Sequence, residues 1–223
     1  MSKANIFDRV KEIGVIPAIR PSDPTQAVHA AAAIRLGGIP IVEVSMAVSS
    51  ALEAIEAIIH ACGTEVLVGA GTVMNAEGVH LARLSGANFI VTSGFNEAAV
   101  EKAREAGLPI FVGALTPTEV QMAIVSGADA VKLFPCYAVG GPRYVNSMRS
   151  QYPETEIIAS GGVSLENCSD YLRSGACAIG VGSEIGDAQS MASGDHRLFT
   201  ERARRFRKAI CETRKLFQSA RPR

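Results

Sequence analysis

The sequence alternates between short apolar runs and longer stretches with helical periodicity. In residues 51–59, apolar side chains recur every three or four positions, which is typical of a helix with one face on a core. The short runs are apolar at nearly every position, which is typical of parallel strands covered on both faces. Eight runs predict eight strands, within residues 15–20, 39–46, 65–71, 88–94, 108–115, 129–135, 156–162 and 177–184.

A glycine ends each helical stretch just before the next apolar run, where the residue after a helix often adopts a left-handed conformation. Gly86 and Gly107 are 21 residues apart, the length of one strand–helix unit. Eight consecutive units predict an α/β fold, a closed (β/α)8 TIM barrel that forms a single domain over residues 1–223. An extra helix is expected at 1–13 and a frayed tail at 217–223. An open doubly wound sheet is the alternative.

Composition narrows the class of protein. Apolar residues make up 48% and charged residues 20%, which excludes general disorder. Lys+Arg and Asp+Glu number 22 each, which gives no argument for a nucleic acid or anionic membrane partner. Residues 201–223 hold nine Lys/Arg against two Glu, interpreted as a solvated helix face. With no signal peptide and no run of about 18 apolar residues, a cytoplasmic soluble protein is expected.

Metal and disulfide chemistry find no support in the pattern. The five cysteines are scattered and lack Cys-x-x-Cys spacing. The four histidines stand apart from other metal ligands and are interpreted as surface or packing residues. We therefore expect neither a metal nor a cofactor. Cys136 follows an apolar strand and is interpreted as a small filler rather than a site residue.

Polar and small residues interrupt or end the apolar runs at one end of the predicted strands. In a (β/α)8 barrel, catalytic side chains come from the carboxyl ends of several strands. Because chance would scatter some of these residues to the other end, they predict a site at the barrel mouth. They are Arg20, Glu43, Thr72, Ser93, Lys132, the Ser160–Gly162 segment and Ser183.

Lys132 and Glu43 carry most of the information, because each is a charged residue inside an apolar strand. Burial disfavours the charged form of lysine and supplies the neutral amine that attacks a carbonyl group. A catalytic Lys132/Glu43 pair is one interpretation. A structural ion pair across the barrel is the other, and even that pair would mark a site.

Glycine-rich turns give a second signal. Gly161 and Gly162 after strand seven, with Ser183 after strand eight, expose donors where many such barrels bind phosphate. Tight turns that need glycine for backbone reasons are the alternative. Phe134 and Phe95 could form a wall of the pocket or pack in the core.

These residues resemble the 2-keto-3-deoxy-6-phosphogluconate (KDPG) / 4-hydroxy-2-oxoglutarate (KHG) aldolase family, whose members are class I, metal-independent (β/α)8 aldolases. The resemblance runs from about Ile13 to Ser183. The motifs that support it lie at 42–44, 69–73, 92–95, 131–135, 160–163 and 180–183. It implies Lys132 as the Schiff-base lysine, Glu43 as the general acid/base, and commonly a homotrimer.

The resemblance also implies that Thr72 helps to hold the pyruvyl carboxylate and that Gly161, Gly162 and Ser183 hold a distal phosphate. Two departures affect substrate choice. Some members carry an arginine four residues after the glutamate, where this chain has Ala47. Others carry one that closes strand one, so Arg20 is the expected carboxylate ligand. Ser93 replaces a proline that is usual in the strand-four turn.

The expected reaction is reversible cleavage of a 2-keto-3-deoxy-6-phospho sugar acid to pyruvate and glyceraldehyde 3-phosphate, as in the Entner–Doudoroff route of carbohydrate metabolism. Cleavage of 4-hydroxy-2-oxoglutarate to pyruvate and glyoxylate is a second expected activity. The alternatives are a 2-dehydro-3-deoxy-6-phosphogalactonate aldolase, a phosphate-binding isomerase or epimerase, and a non-catalytic sugar-phosphate binder.

Overall fold

Eight parallel strands form a closed barrel in sequence order in the computed structural model, which describes residues 2–219. This confirms the TIM barrel and excludes the open sheet. Each predicted run contains one strand, except that β3 continues two residues beyond its run at 65–71. The strands are β1 Val15–Ile19, β2 Ile41–Ser45, β3 Leu67–Val73, β4 Phe89–Thr92, β5 Ile110–Ala114, β6 Ala130–Leu133, β7 Ile157–Ser160 and β8 Ala178–Val181.

Helices alternate with these strands around the barrel. They are α1 Lys3–Ile13, α2 Pro24–Leu36, α3 Ala51–Cys62, α4 Ala76–Leu84, α5 Glu97–Glu105, α6 Pro117–Val125, α7 Pro142–Gln151, α8 Cys168–Arg173, α9 Ser183–Gly186, α10 Ala188–Ser193 and α11 His196–Ser219. The short helices α9 and α10 were not predicted, because residues 183–193 carry no clear apolar period.

Polar caps and glycines set where the helices begin and end. Among the described residues, six N-cap side chains accept a hydrogen bond from a backbone N–H in the first helical turn, and they are Ser2, Asp23, Asn75, Asn96, Thr116 and Asp187. Six glycines that precede a strand have positive φ, as the sequence predicted, namely Gly38, Gly63, Gly86, Gly107, Gly127 and Gly175. These signals fix the strand–helix alternation locally, within each unit.

Helix α1 covers the amino-terminal end of the barrel. Its Phe7 ring lies 5.4 Å from the ring of Phe111, which in turn lies 5.4 Å from the ring of Phe89. Lys3 pairs with Asp129 at 3.0 Å, just before β6. This end is therefore closed by aromatic packing and surface ion pairs.

Helix α11 carries the basic segment. The prediction that this segment is a solvated helix face is wrong for part of it. Arg207 donates to the carbonyl of Ile13, and Arg214 donates to the carbonyl of Lys11 at 2.6 Å. Burial lowers the pKa of the Arg214 guanidinium, with the charge of Arg207 adding to the effect. These arginines bind the last carbonyls of α1, so α11 fixes the helix that covers the barrel. Residues 220–223 of the predicted tail lie outside the described residues.

All five cysteines are free thiols. Within residues 2–219, no group of three or more His, Cys, Asp or Glu side chains is arranged to hold a metal ion. No helix in the described part of the chain is long and apolar enough to cross a membrane.

Candidate active site

A cavity of about 300 Å³ opens at the carboxyl ends of the strands. Besides Ser160, nine residues that the sequence predicted for a site line this one cavity, and seven of the eight strands or their following turns supply them. They are Arg20, Glu43, Thr72, Ser93, Lys132, Phe134, Gly161, Gly162 and Ser183. The closed barrel thus brings together residues that lie up to 163 positions apart in the chain.

Lys132 and Glu43 form a buried ion pair on the cavity wall. The Lys132 Nζ lies 3.5 Å from Glu43 Oε1, and only 8% of Lys132 and 4% of Glu43 is exposed. Removing two charges from water is costly, and their mutual attraction offsets this only in part. A pair of this kind at a cavity is therefore weak support for stability, and it marks a place where chemistry can occur.

The absence of a side chain at Gly71 leaves room for the Glu43 carboxylate. A Cβ built at Gly71 would lie 2.0 Å from Glu43 Oε1. Small residues on other strands, Ala18 on β1 and Gly180 on β8, also line the cavity. Small side chains on the strands around the charged pair thus leave the barrel open at this end.

Thr72 has an unusual backbone for its residue type. Its φ is +58°, a left-handed value rare outside glycine, and the β3–β4 register shifts at this point. Its Oγ1 lies 3.0 Å from the Oγ of Ser45, which is buried at the end of β2. The sequence placed Thr72 after strand three, but β3 continues through Val73 beyond this irregularity. Ser45 thus holds the Thr72 hydroxyl beside the cavity.

Arg20 follows the last residue of β1, beside β2. Ala18 pairs in register with Glu43, so Arg20 lies two residues further toward solvent on the neighbouring strand. Its side chain is exposed and, within residues 2–219, makes no hydrogen bond or ion pair. The guanidinium is therefore available to an anionic group in the cavity. Ala47 is exposed and does not line the cavity.

The turn after β7 requires glycine. Gly162 has a φ of +73°, and a Cβ there would lie 2.5 Å from the Cβ of Tyr137. Asn167 Nδ2 donates to the carbonyl of Gly162 at 2.8 Å, and Asn167 Oδ1 accepts from the N–H of Ser164 at 2.8 Å. These bonds fix a tight turn that brings backbone to the edge of the cavity. The backbone and ligand explanations for these glycines are thus compatible.

Two other predicted positions differ slightly from expectation. Ser93 follows β4 instead of lying inside it, because the strand ends at Thr92. Ser183 begins helix α9, since β8 ends two residues earlier at Val181. Both side chains still reach the cavity.

Aromatic and sulfur groups near the mouth have separate roles. Lys132 Nζ lies 5.5 Å from the centroid of the Phe134 ring, a cation–π distance. Phe95 lies elsewhere, in a groove between α5 and α6. Burial raises the pKa of Cys136 to about 11, so this thiol is protonated at neutral pH, and it donates to the carbonyl of Leu133. Cys136 is completely buried, in keeping with its prediction as a filler.

Sequence reasoning missed two polar residues that line the cavity, Ser164 and Glu184. Ser164 gave no signal because it lies in a loop. Glu184 ended the predicted run at 177–184 but was not selected, and the structure places it in the short helix α9. None of the four histidines lines the cavity, and the rings of His29 and His196 contact each other at 4.7 Å.

Comparison with known proteins relates this geometry to one family. A family model described as "KDPG and KHG aldolase" matches residues 6–201. The 2-dehydro-3-deoxy-phosphogluconate aldolase of Treponema pallidum (strain Nichols) is 35% identical over 190 residues, covering 85% of this chain and 90% of that protein. The 2-dehydro-3-deoxy-6-phosphogalactonate aldolase of Escherichia coli (strain K12) is 30% identical over 175 residues, covering 78% and 85%.

A solved structure extends the likeness to three dimensions. The KDPG aldolase of Legionella pneumophila, with pyruvate captured as a covalent carbinolamine intermediate, has a TM-score of 0.82 and 26% identity, covering 87% of this chain and 95% of that one. The similarity spans most of the barrel, from helix α1 to helix α11. The chain therefore belongs to the KDPG and KHG aldolase family.

Proposed function

We propose that this protein is a class I aldolase that cleaves a 2-keto-3-deoxy-6-phospho sugar acid to pyruvate and glyceraldehyde 3-phosphate. The observation that carries the proposal is the buried Lys132–Glu43 pair at 3.5 Å. A primary amine beside a proton-transferring carboxylate, in a cavity with anion-binding groups around it, is what imine chemistry requires. The chain's relatives have the same type of activity by name.

The proposed mechanism begins with Lys132. Lys132 gives a proton of its ammonium group to Glu43, and its neutral amine then attacks the C2 ketone. Glu43 returns this proton as the carbinolamine loses water and becomes a protonated imine. The protonated imine then accepts the electron pair of the C3–C4 bond as that bond breaks. Glu43, directly or through water, takes the proton of the C4 hydroxyl, and the aldehyde leaves. Protonation of the enamine at C3 and hydrolysis release pyruvate and restore the amine.

The remaining residues are proposed to orient the substrate. Arg20 and Thr72 bind the C1 carboxylate, since the guanidinium is uncommitted and the threonine hydroxyl is fixed by Ser45. Phe134 and Ser93 bound the reacting carbons. The distal phosphate lies against three donors in the turns after β7 and β8, Gly161, Gly162 and Ser183.

Reductive trapping tests the imine. We expect borohydride with pyruvate to add a reduced pyruvyl group to the peptide that carries Lys132, and Lys132→Ala to abolish both labelling and turnover. Lys102→Ala, an exposed lysine on α5, is the matched control and should label like the wild type. Binding of pyruvate without a trapped adduct would instead support the isomerase, epimerase or sugar-phosphate-binder alternatives.

The configuration at C4 is the second question. The phosphogalactonate aldolase among the relatives, 30% identical, favours that epimer as the alternative substrate. Pyruvate release from the two C4 epimers and from 4-hydroxy-2-oxoglutarate ranks the three activities. A wild type that prefers the unphosphorylated acid would be a hydroxyoxoglutarate aldolase.

We further propose a single-domain, cytoplasmic enzyme of the Entner–Doudoroff type that assembles as a homotrimer. An exposed apolar groove of about 350 Å³ between α5 and α6 supports self-association. Its apolar side chains include Met122 and Val125, of which Val125 is 80% exposed.

A further inference from the structure

A second cavity adjoins the distal end of the catalytic one. It measures about 310 Å³ and lies between the β7–α8 loop, α9 and α11. We call it the outer cavity. Three residues, Ser164, Ser183 and Glu184, line both cavities. The space that holds the substrate therefore continues past Ser183 toward the long C-terminal helix.

The charges at the distal end of the catalytic cavity do not suit a phosphate by themselves. The donors proposed above are neutral, and the ionisable group there is the Glu184 carboxylate. Of the cations that line this cavity, Lys132 is paired with Glu43, and Arg20, which follows β1 beside β8, is proposed above to bind the C1 carboxylate. A dianionic phosphate beside Glu184 would be repelled unless a further cation were close.

The outer cavity supplies two arginines from α11, and their surroundings differ. Arg202 is committed, because it pairs with Asp187 and also donates to the carbonyl of Ile185. Hydrogen bonds from Ser190 and Arg202 hold the pKa of the Asp187 carboxyl well below its usual range. Arg205 lines the same cavity, is exposed and makes no hydrogen bond or ion pair within residues 2–219. It is the cation there that is free to bind a ligand.

We propose that the outer cavity is the second half of the phosphate site, in which Arg205 pairs with the terminal phosphate monoester of the substrate while Glu184 opposes its binding. The phosphate faces Ser183 and the glycine turn on one side and the guanidinium on the other. Arg205 then raises the preference for a phosphorylated substrate, whereas Glu184 and Glu166, the other carboxylate that lines the outer cavity, lower it. This inference rests on the proposed aldolase function, whose reacting groups lie at the opposite end of the substrate.

The first test compares adjacent arginines on α11. Arg205→Gln should lower kcat/KM about tenfold for 2-keto-3-deoxy-6-phosphogluconate, the scale of one weakened charged contact, and leave 4-hydroxy-2-oxoglutarate unchanged. Arg205→Lys should restore most of the loss, and added salt should shrink the difference. Arg204→Gln is the matched control, because Arg204 is exposed and does not line the outer cavity.

The second test changes the opposing carboxylate and should have the opposite effect on kcat/KM. Glu184→Gln should raise kcat/KM severalfold for the phosphorylated substrate and leave the unphosphorylated acid unchanged. Equal values for Arg205→Gln and Arg204→Gln, or a loss on the phosphorylated substrate in Glu184→Gln, would overturn the proposal.

Failure of the aldolase function itself has a different signature. A wild type that forms no pyruvate adduct at Lys132 contradicts the proposed function before either variant is made. A wild type that traps pyruvate and cleaves 4-hydroxy-2-oxoglutarate but gains nothing from a substrate phosphate contradicts the phosphate site and the phosphorylated substrate, and leaves the class I aldolase reaction intact.

Discussion

The two ends of the barrel use the same eight strands for different purposes. At the amino-terminal end, inward positions hold aromatic rings that pack on one another, and Phe89 and Phe111 are completely buried. At the carboxyl end, inward positions hold a charged pair beside a cavity of about 300 Å³. Close packing stabilises a fold, whereas an open space with buried charge does not. Stability and chemistry are thus assigned to opposite ends.

Single strands show this division clearly. Strand β4 begins with Phe89, whose ring lies over Gly69. The residue that follows the strand, Ser93, lines the cavity. Strand β5 places Phe111 in the aromatic cluster and, two residues later, Gly113 beside the backbone of Ser93. Side chains two positions apart point the same way along a strand. A few ångströms along one strand therefore separate packing from function.

Changing the carboxylate at each end gives the largest expected contrast. Glu43→Gln should lower kcat by about 10²–10⁴-fold, the range for loss of a general acid/base, because the amide cannot carry the proton. The fold should persist, since glutamine keeps the side-chain volume and an acceptor oxygen. Steady-state kinetics and thermal unfolding together measure both effects.

The matched control is Glu156→Gln at the amino-terminal end, where Glu156 pairs with Lys11 at 3.3 Å and is partly exposed. That surface pair should contribute at most about 1 kcal/mol to stability and nothing to turnover. Near-full activity in Glu43→Gln would show that another group carries out the proton transfer.

Removing an aromatic ring should have the opposite profile. Phe111→Ala should reduce the free energy of unfolding by about 3–5 kcal/mol through lost packing and a residual cavity. The fraction that remains folded should still trap pyruvate at Lys132, which chemical denaturation combined with mass spectrometry can measure. If alanine prevents folding, Phe111→Leu tests the same point with a smaller loss. A fall in kcat with unchanged stability would contradict the division between the ends.

The sequence predicted much of this arrangement for identifiable reasons. Lys132 and Glu43 stood out because charge is rare inside an apolar strand, and Arg20 because it closes one. The eight strands followed from apolar runs and glycines at regular spacing. In each case the signal was local to one strand–helix unit.

What the sequence could not predict depends on contacts between distant segments. Arg205 lies on a helix, where charged residues are ordinary, and Glu184 ended an apolar run without a role being assigned to it. The cavity that both residues line exists only where α9 and α11 meet. Ser45 carries no charge, so its bond to Thr72 was invisible in the pattern. The left-handed backbone of Thr72 is likewise a result of the β3–β4 register shift. Local periodicity contains none of this information.

The smallest expected effect compares one arginine at each end. Arg20→Ala should weaken the binding of pyruvate by about 1.5–3 kcal/mol, the scale of hydrogen bonds to a charged group. It should weaken the binding of the full substrate by a similar amount. Both ligands carry the carboxylate that Arg20 is proposed to bind. The concentration of pyruvate that gives half-maximal borohydride labelling measures the effect.

Arg35→Ala is the control for that arginine, because Arg35 pairs with Glu65 on the surface near the amino-terminal end. Such pairs contribute about 1 kcal/mol or less to stability, and this one lies away from the cavity. A loss in Arg20→Ala that spares pyruvate would place Arg20 at the phosphate end with Arg205. If Arg20→Ala weakens the binding of pyruvate and of the phosphorylated substrate equally, the two arginines bind opposite ends of one substrate. In that case only Arg205→Gln should distinguish the phosphorylated from the unphosphorylated acid.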